Sequence, residues 1–258
     1  MSHALKSCRY FAIFVIFLVM SCTNHSNDEE KKMVINPYAM DKEVSDQIKS
    51  VLSKLLDNQE KINDSIPLNL PQIVAEFYKK NDHQPVWSST EKWQPMADSL
   101  FQFISYAENE GLFPNDYHYS ILKVLKDTLD RDSLARMNVN FWTKADLLLT
   151  DGFMHIIKDL KQGRLQPDSV SLNKDSVLVG KFFIASLDKL LEQKDFNGLL
   201  VSLQPKHKKY WELKKGIKKF VDSMDRSRFT HVAYPFKKRR YQRFAFFYKT
   251  VTKATDRK

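Results

Sequence analysis

No cysteine follows position 22 in this 258-residue chain; the two it has are Cys8 and Cys22. That absence excludes thiolate catalysis, disulfides and a Cys-ligated zinc site from residues 23–258, and an ordinary apolar core must supply the stability. No serine sits in the strand-turn-helix context that would activate a hydroxyl: Ser88, Ser89, Ser169 and Ser171 read as caps and turns. Glu108 and Glu110 are two residues apart and point away from each other on a helix, which argues against a paired-carboxylate glycosidase. Strand signals are few, with only residues 230–236 alternating convincingly, and no repeat period stands out. No cofactor and no metal are expected.

What is present begins with an export signal. Lys6 and Arg9 precede an unbroken apolar run over residues 11–20, and the run stops at Ser21-Cys22. It is too short to cross a hydrocarbon core that needs roughly 20 helical residues, so it reads as a signal peptide, residues 1–21. Leu18-Val19-Met20-Ser21-Cys22 resembles a relaxed lipobox, in which Cys22 becomes the lipidated first residue. Residues 22–40 are expected to be a lipidated tether, since residues 23–32 are polar and charged with no apolar face to bury. Thr23 after the lipid-bearing position resembles the lipoprotein pattern for delivery to the outer membrane, facing the periplasm, while the acidic run Asp28-Glu29-Glu30 leaves surface exposure open.

From Asp41 onward the pattern is helical. Val44, Ile48, Val51, Leu52, Leu55 and Ile62 recur at helical spacings; Pro71 opens a helix over residues 72–80, and Pro95 opens another that Gly111 stops. Residues 81–93 read as a loop with a brief extended piece. Helical patterns also cover residues 119–134, 139–160, 180–192 and 210–224, the second of these largely apolar and therefore central. The fold class is thus mainly α, a helical domain over residues 41–236 with minor extended segments, followed by a basic tail, residues 237–258.

Charge is uneven. Residues 206–258 hold 18 Lys or Arg against four acids, so they carry +14 of a net +10 and the rest of the chain sums to −4. Such a cluster attracts anionic lipid, acidic wall polymers or nucleic acid; export makes nucleic acid an unexpected partner. The aromatic-rich stretch Tyr241 to Tyr248 amid basic residues has the composition of an interfacial segment or of a disordered tail.

Two blocks are more specific than composition. The first runs Ala107-Glu108-Asn109-Glu110-Gly111-Leu112-Phe113-Pro114-Asn115-Asp116-Tyr117; the second runs Asp146-Leu147-Leu148-Leu149-Thr150-Asp151-Gly152-Phe153 and continues to Gly163, Arg164 and Pro167. In this order they resemble the scaffold region of the large, multidomain murein L,D-transpeptidases of Gram-negative bacteria, over roughly residues 70–236. The resemblance implies a helical platform that in those enzymes precedes a wall-binding module and a catalytic domain with an acyl-accepting cysteine. No His, Ser, Gly and Cys cluster follows here, so the chain is not expected to be an enzyme by itself. The readings that remain open are a stand-alone scaffold, the amino-terminal piece of a split or frameshifted transpeptidase, and an unrelated helical surface binding protein. The partners implied are peptidoglycan or a cell-wall enzyme, and a membrane through Cys22.

The candidate contact residues are Gly111, Pro114, Asp116, Tyr117, Asp151, Gly163 and Arg164. Asp116 and Tyr117 offer hydrogen bonds and a stacking face to a glycan or peptide; alternatively Gly111 stops a helix and Tyr117 packs with its hydroxyl at the surface. Asp151 and Arg164 are expected to pair and fix the turn after the central helix. His155 lies four residues from both Asp151 and Asp159, a spacing that suits plain intrahelical pairing.

Overall fold

The computed structural model describes residues 32–57, 61–62, 66–164 and 178–224. The expected signal segment, Cys22, Pro167, Ser169, Ser171, residues 230–236 and the basic tail lie outside the described residues. Residues 1–221 form one compact unit, and residues 222–258 a second of which only the first three are described.

Helix α1 (Pro37–Asp57) starts four residues before the expected Asp41, because Pro37 carries a φ already suited to a first turn. It buries Met40, Val44, Ile48, Leu52 and Leu55 along one stripe. Residues 33–40, expected to be tether, belong to the fold: the Val34 N–H donates to the Met137 carbonyl at 2.8 Å, and Met33 bridges Asn138. Lys32 pairs with Glu43 at 2.5 Å, and that hydrogen bond and charge hold the Glu43 carboxyl below its ordinary range. Ile62 does not extend the α1 stripe. It belongs to strand β1 (Lys61–Ile62), antiparallel to β2 (Ile66–Pro67) with Ile62 opposite Ile66.

Helix α2 (Pro71–Lys80) buries Val74, Ala75, Phe77 and Tyr78. The extended piece expected within residues 81–93 is a hairpin of β3 (Ser88–Ser89) and β4 (Lys92–Trp93); Ser88 and Ser89 are strand residues rather than caps. Asp41 holds the hairpin, accepting the Thr90 N–H at 2.8 Å and the Ser89 hydroxyl at 2.7 Å. Helix α3 (Pro95–Ser105) leads into two 3₁₀ turns, Ala107–Glu110 and Pro114–Tyr117. The single helix expected over residues 119–134 is broken in two, α4 (Tyr119–Arg131) and α5 (Ser133–Arg136). Asp132 makes the break: its backbone is extended and its carboxylate accepts the Leu134 N–H at 2.8 Å, capping the new helix.

Helix α6 (Val139–Gln162) is the axis of the fold and touches each of α1 to α5, α7 (Gly180–Gln193) and α8 (Phe196–Leu203). Every residue from Ala145 to Met154 is buried, as expected of a largely apolar central helix, and Asp146, Thr150 and Asp151 are buried with the rest. Gly152 fits there because a Cβ at that position would stand 3.3 Å from the Tyr117 carbonyl oxygen. Helix α8 had no clear signal of its own in the sequence, and Asp195 starts it by accepting the Gly198 N–H at 2.9 Å. Helix α9 (Lys208–Ser223) ends the described chain with no fully buried residue.

Candidate functional site

The acids of α6 lie where no water can solvate them, so each must find donors or carry a large penalty. Asp151 is fully buried and accepts the backbone N–H of Asn69 at 3.0 Å, the N–H of Leu70 at 2.8 Å, the Asn69 amide at 3.0 Å and the His118 ring at 2.6 Å. Leu70 is the N-cap of α2 and has no capping side chain of its own. Asp151 therefore caps α2 from another helix, placing a negative charge at the positive end of the helix dipole.

One turn earlier, Asp146 accepts the N–H groups of Val86 and Trp87 at 3.1 and 3.0 Å and the Tyr78 hydroxyl at 2.5 Å. Burial pushes its carboxyl up to about 6 against the opposing pull of these hydrogen bonds. Burial first, and the adjacent Asp146 second, hold the Tyr78 phenol well above its ordinary range. Thr150 completes the cluster, 2.8 Å from the Tyr78 hydroxyl and from the Trp87 indole nitrogen, which donates to it.

The second 3₁₀ turn sits over the far end of α6 and forms the surface part of the site. Gly111 takes φ 75°, which glycine adopts without Cβ strain, and ends the first 3₁₀ turn. Phe113 is 53% exposed, and the Arg164 guanidinium lies 4.2 Å from its ring centroid. Arg164 also donates through Nε to Asp116 at 2.8 Å. Behind this pair the Asp116 carbonyl accepts the Asn69 amide at 3.2 Å and lies 3.1 Å from the His155 Nδ1. Gly163, at φ 84°, ends α6 with its N–H on the Asp159 carbonyl and delivers Arg164 to the turn.

The structure brings the candidate residues together but changes two roles. Asp151 does not pair with Arg164: its carboxylate is taken up by α2 and His118, and the partner of Arg164 is Asp116. Tyr117 is fully buried, with its hydroxyl donated to Asp159 at 2.8 Å rather than lying at the surface, so it offers no stacking face to a ligand. Burial, then the Asp159 bond, push its phenol far above the ordinary value. His155 stands 3.6 Å from Asp159 and packs edge-on against Tyr117, while Asp151 turns to His118 instead. Pro114 fixes the first residue of the turn.

Two contributors carried no sequence signal, Asn69 and His118, while Phe113 and Asp146 lay inside the two blocks without being among the candidate contact residues. His118 is the most telling, a non-glycine at φ 62° whose ring partners are Asp151 and Asn69. Neither partner carries a hydroxyl or a thiol, so the arrangement orients backbone and anchors loops rather than activating a hydroxyl. What this part of the surface offers a ligand is the exposed Phe113 ring and the Asp116 carboxylate of the turn, with the Arg164 guanidinium brought against both from the end of α6.

Comparison with family models gives a match to the family described as Scaffold domain, over residues 72–217. Comparison with curated proteins and with solved structures gives no match.

Proposed function

The chain belongs to the scaffold-domain family, and on that premise we propose that it is a cell-envelope lipoprotein working as the scaffold region of a murein L,D-transpeptidase, through binding and not through acyl transfer. It is held at the outer membrane through Cys22, and its helical unit holds peptidoglycan or recruits a wall enzyme. One observation carries the reading. The two sequence blocks that resemble the transpeptidase scaffold are locked into one object, with Tyr117 on Asp159, Asp116 on Arg164 and the Tyr117 backbone against Gly152. A motif pair that packs as a unit is a platform, and its exposed face carries Phe113 and Arg164. Residues 23–258 hold no cysteine, which is consistent with a binding role.

The test is co-sedimentation of the chain from Thr23 onward with isolated peptidoglycan sacculi across a salt series, beside a version ending at Phe236. Salt-resistant retention that survives the truncation supports wall binding by the helical platform. Retention lost with the tail, or at moderate salt, reduces it to charge attraction. No retention at all favours the second reading, a piece of a split transpeptidase whose catalytic half is a separate chain.

A further inference from the structure

The turn between β3 and β4 is built from residues that do not suit it. Ser89 lies opposite Lys92, so the two turn residues are Thr90 and Glu91, at φ 48° and φ 60°. Such a turn favours Asn-Gly, and a β-branched residue at positive φ is an outlier. The Asp41 carboxylate pins it through the Thr90 N–H and the Ser89 hydroxyl. Strain held in this way points to a role beyond joining two strands. The turn borders an open pocket of about 540 Å³, whose lining also takes Pro37 and Tyr38 from the start of α1, Lys92 from β4 and Arg136 from the end of α5. That volume lies within the roughly 300–1,000 Å³ of small-ligand sites. The Glu91 Oε1 atom is shielded from solvent and has no hydrogen-bond partner among the described residues, a costly state for a carboxylate oxygen. Lys92 and Arg136 pair with no acid among the described residues. The Arg136 guanidinium has one long bond, 3.5 Å to the Asp130 carbonyl, while its own carbonyl is fixed by the Trp142 indole N–H at 2.8 Å. Tyr38 is 87% exposed.

We infer that this pocket binds a short peptide with free ends, its carboxylate on Arg136 and Lys92, its ammonium on the Glu91 Oε1 atom and an apolar side chain against the Tyr38 ring. The charges of the lining select this ligand. Phosphate satisfies the two cations but brings no positive group to Glu91. A metal cation satisfies Glu91 but meets Lys92 and Arg136, and a neutral sugar leaves all three charges without a counter-charge. A ligand carrying one charge of each sign pairs with all three. The guanidinium fork matches a carboxylate through two parallel bonds, and a tyrosine ring supplies contact area at little cost in side-chain freedom. The pocket shares no lining residue with the Phe113 turn, so this inference goes beyond the wall-binding reading, and either can fail without the other.

The experiment is titration of the isotope-labelled chain from Thr23 onward, which keeps every described residue, with trialanine, N-acetyl-trialanine and trialanine amide, followed by NMR. Trialanine is expected to saturate with a Kd of about 1 mM or tighter. Each blocked peptide should bind at least about fivefold more weakly, the scale of an accessible ion pair. In E91Q the penalty for acetylation should disappear, and in K92S with R136A the penalty for amidation should disappear. T90N with E91G separates the ligand from folding: Asn-Gly suits the turn, so the melting temperature should rise while binding falls. Trialanine ending in D-alanine, set beside the all-L form, names the source of the peptide, a wall stem or protein breakdown, and either preference supports the pocket. An acetylation penalty of the same size in E91Q and the parent overturns the inference. So does full binding by T90N/E91G, or no binding by any free-ended peptide.

Discussion

Tyr117 donates its hydroxyl to Asp159 at 2.8 Å, the tyrosine fully buried and the aspartate nearly so. This bond ties the 3₁₀ turn to the last turns of α6. Because burial and the neighbouring carboxylate both hold the phenol above its ordinary range, it remains a neutral donor at any pH the fold meets. Tyr117→Phe keeps the ring and removes the donor, leaving Asp159 with His155 at 3.6 Å among the described residues. The expected cost is about 1–3 kcal/mol, read as a lower denaturant midpoint with an unchanged slope. An unchanged midpoint would show that the bond adds nothing.

Asp151 and His118 are expected to be coupled, and Asp151 and Arg164 not. Asp151→Ala uncaps α2 and strips His118 of its partner, for a loss of about 3 kcal/mol or more. A double-mutant cycle with His118→Ala should give a coupling of about 1–3 kcal/mol, whereas the cycle with Arg164→Ala should be additive within about 0.5 kcal/mol. Strong coupling in the second cycle would contradict the geometry.

Asp146 gives the fold a pH dependence of unusual sign. Its carboxyl sits at about 6 when folded against a model value of 3.8, so the folded state holds a proton that the unfolded chain has released. Its contribution is fully present below the unfolded value and is lost as pH rises through about 6, amounting to about 3 kcal/mol on complete deprotonation. Asp146→Asn should remove that slope. Unfolding free energies of both proteins at pH 4.5 and pH 7, at roughly those values, check it; an identical pH difference in the two would refute the assignment.

The surface pair is expected to separate binding from stability. Phe113→Ala with Arg164→Ala removes an exposed ring and a half-exposed ion pair, so stability should change by no more than about 1 kcal/mol. Retention on sacculi should fall if the turn is the contact surface. Full retention by a folded double variant would move the contact elsewhere.

Gly216→Ala offers a control on α9. A Cβ there meets nothing within 4 Å, so alanine should stabilise the helix by up to about 1 kcal/mol. A loss of stability would mean that the space beside Gly216 is filled in the folded protein.

Much of the fold was legible because helices announce themselves locally. Pro71 and Pro95 mark two starts, Gly111 and Gly163 two stops, and the stripes of α1, α2, α3 and α6 repeat within single segments. The helix α8 escaped because eight residues that are apolar on most positions show no period to distinguish them from a loop packed on a core. Asp132 escaped as a break because the apolar period runs on through it, and only the backbone geometry shows a cap.

The sequence by itself determined the helical class, the family blocks, the central place of α6 and the lack of thiols in residues 23–258, since each is written in residue type and spacing along one segment. The tertiary structure alone decided which donors the buried acids take. Asp151 lies 82 residues from Asn69 and 33 from His118, and Asp116 is 48 from Arg164. Periodicity shows that such groups face inward; which partner each one meets depends on how separate helices cross, and burial forces the choice by penalising any acid left without a donor.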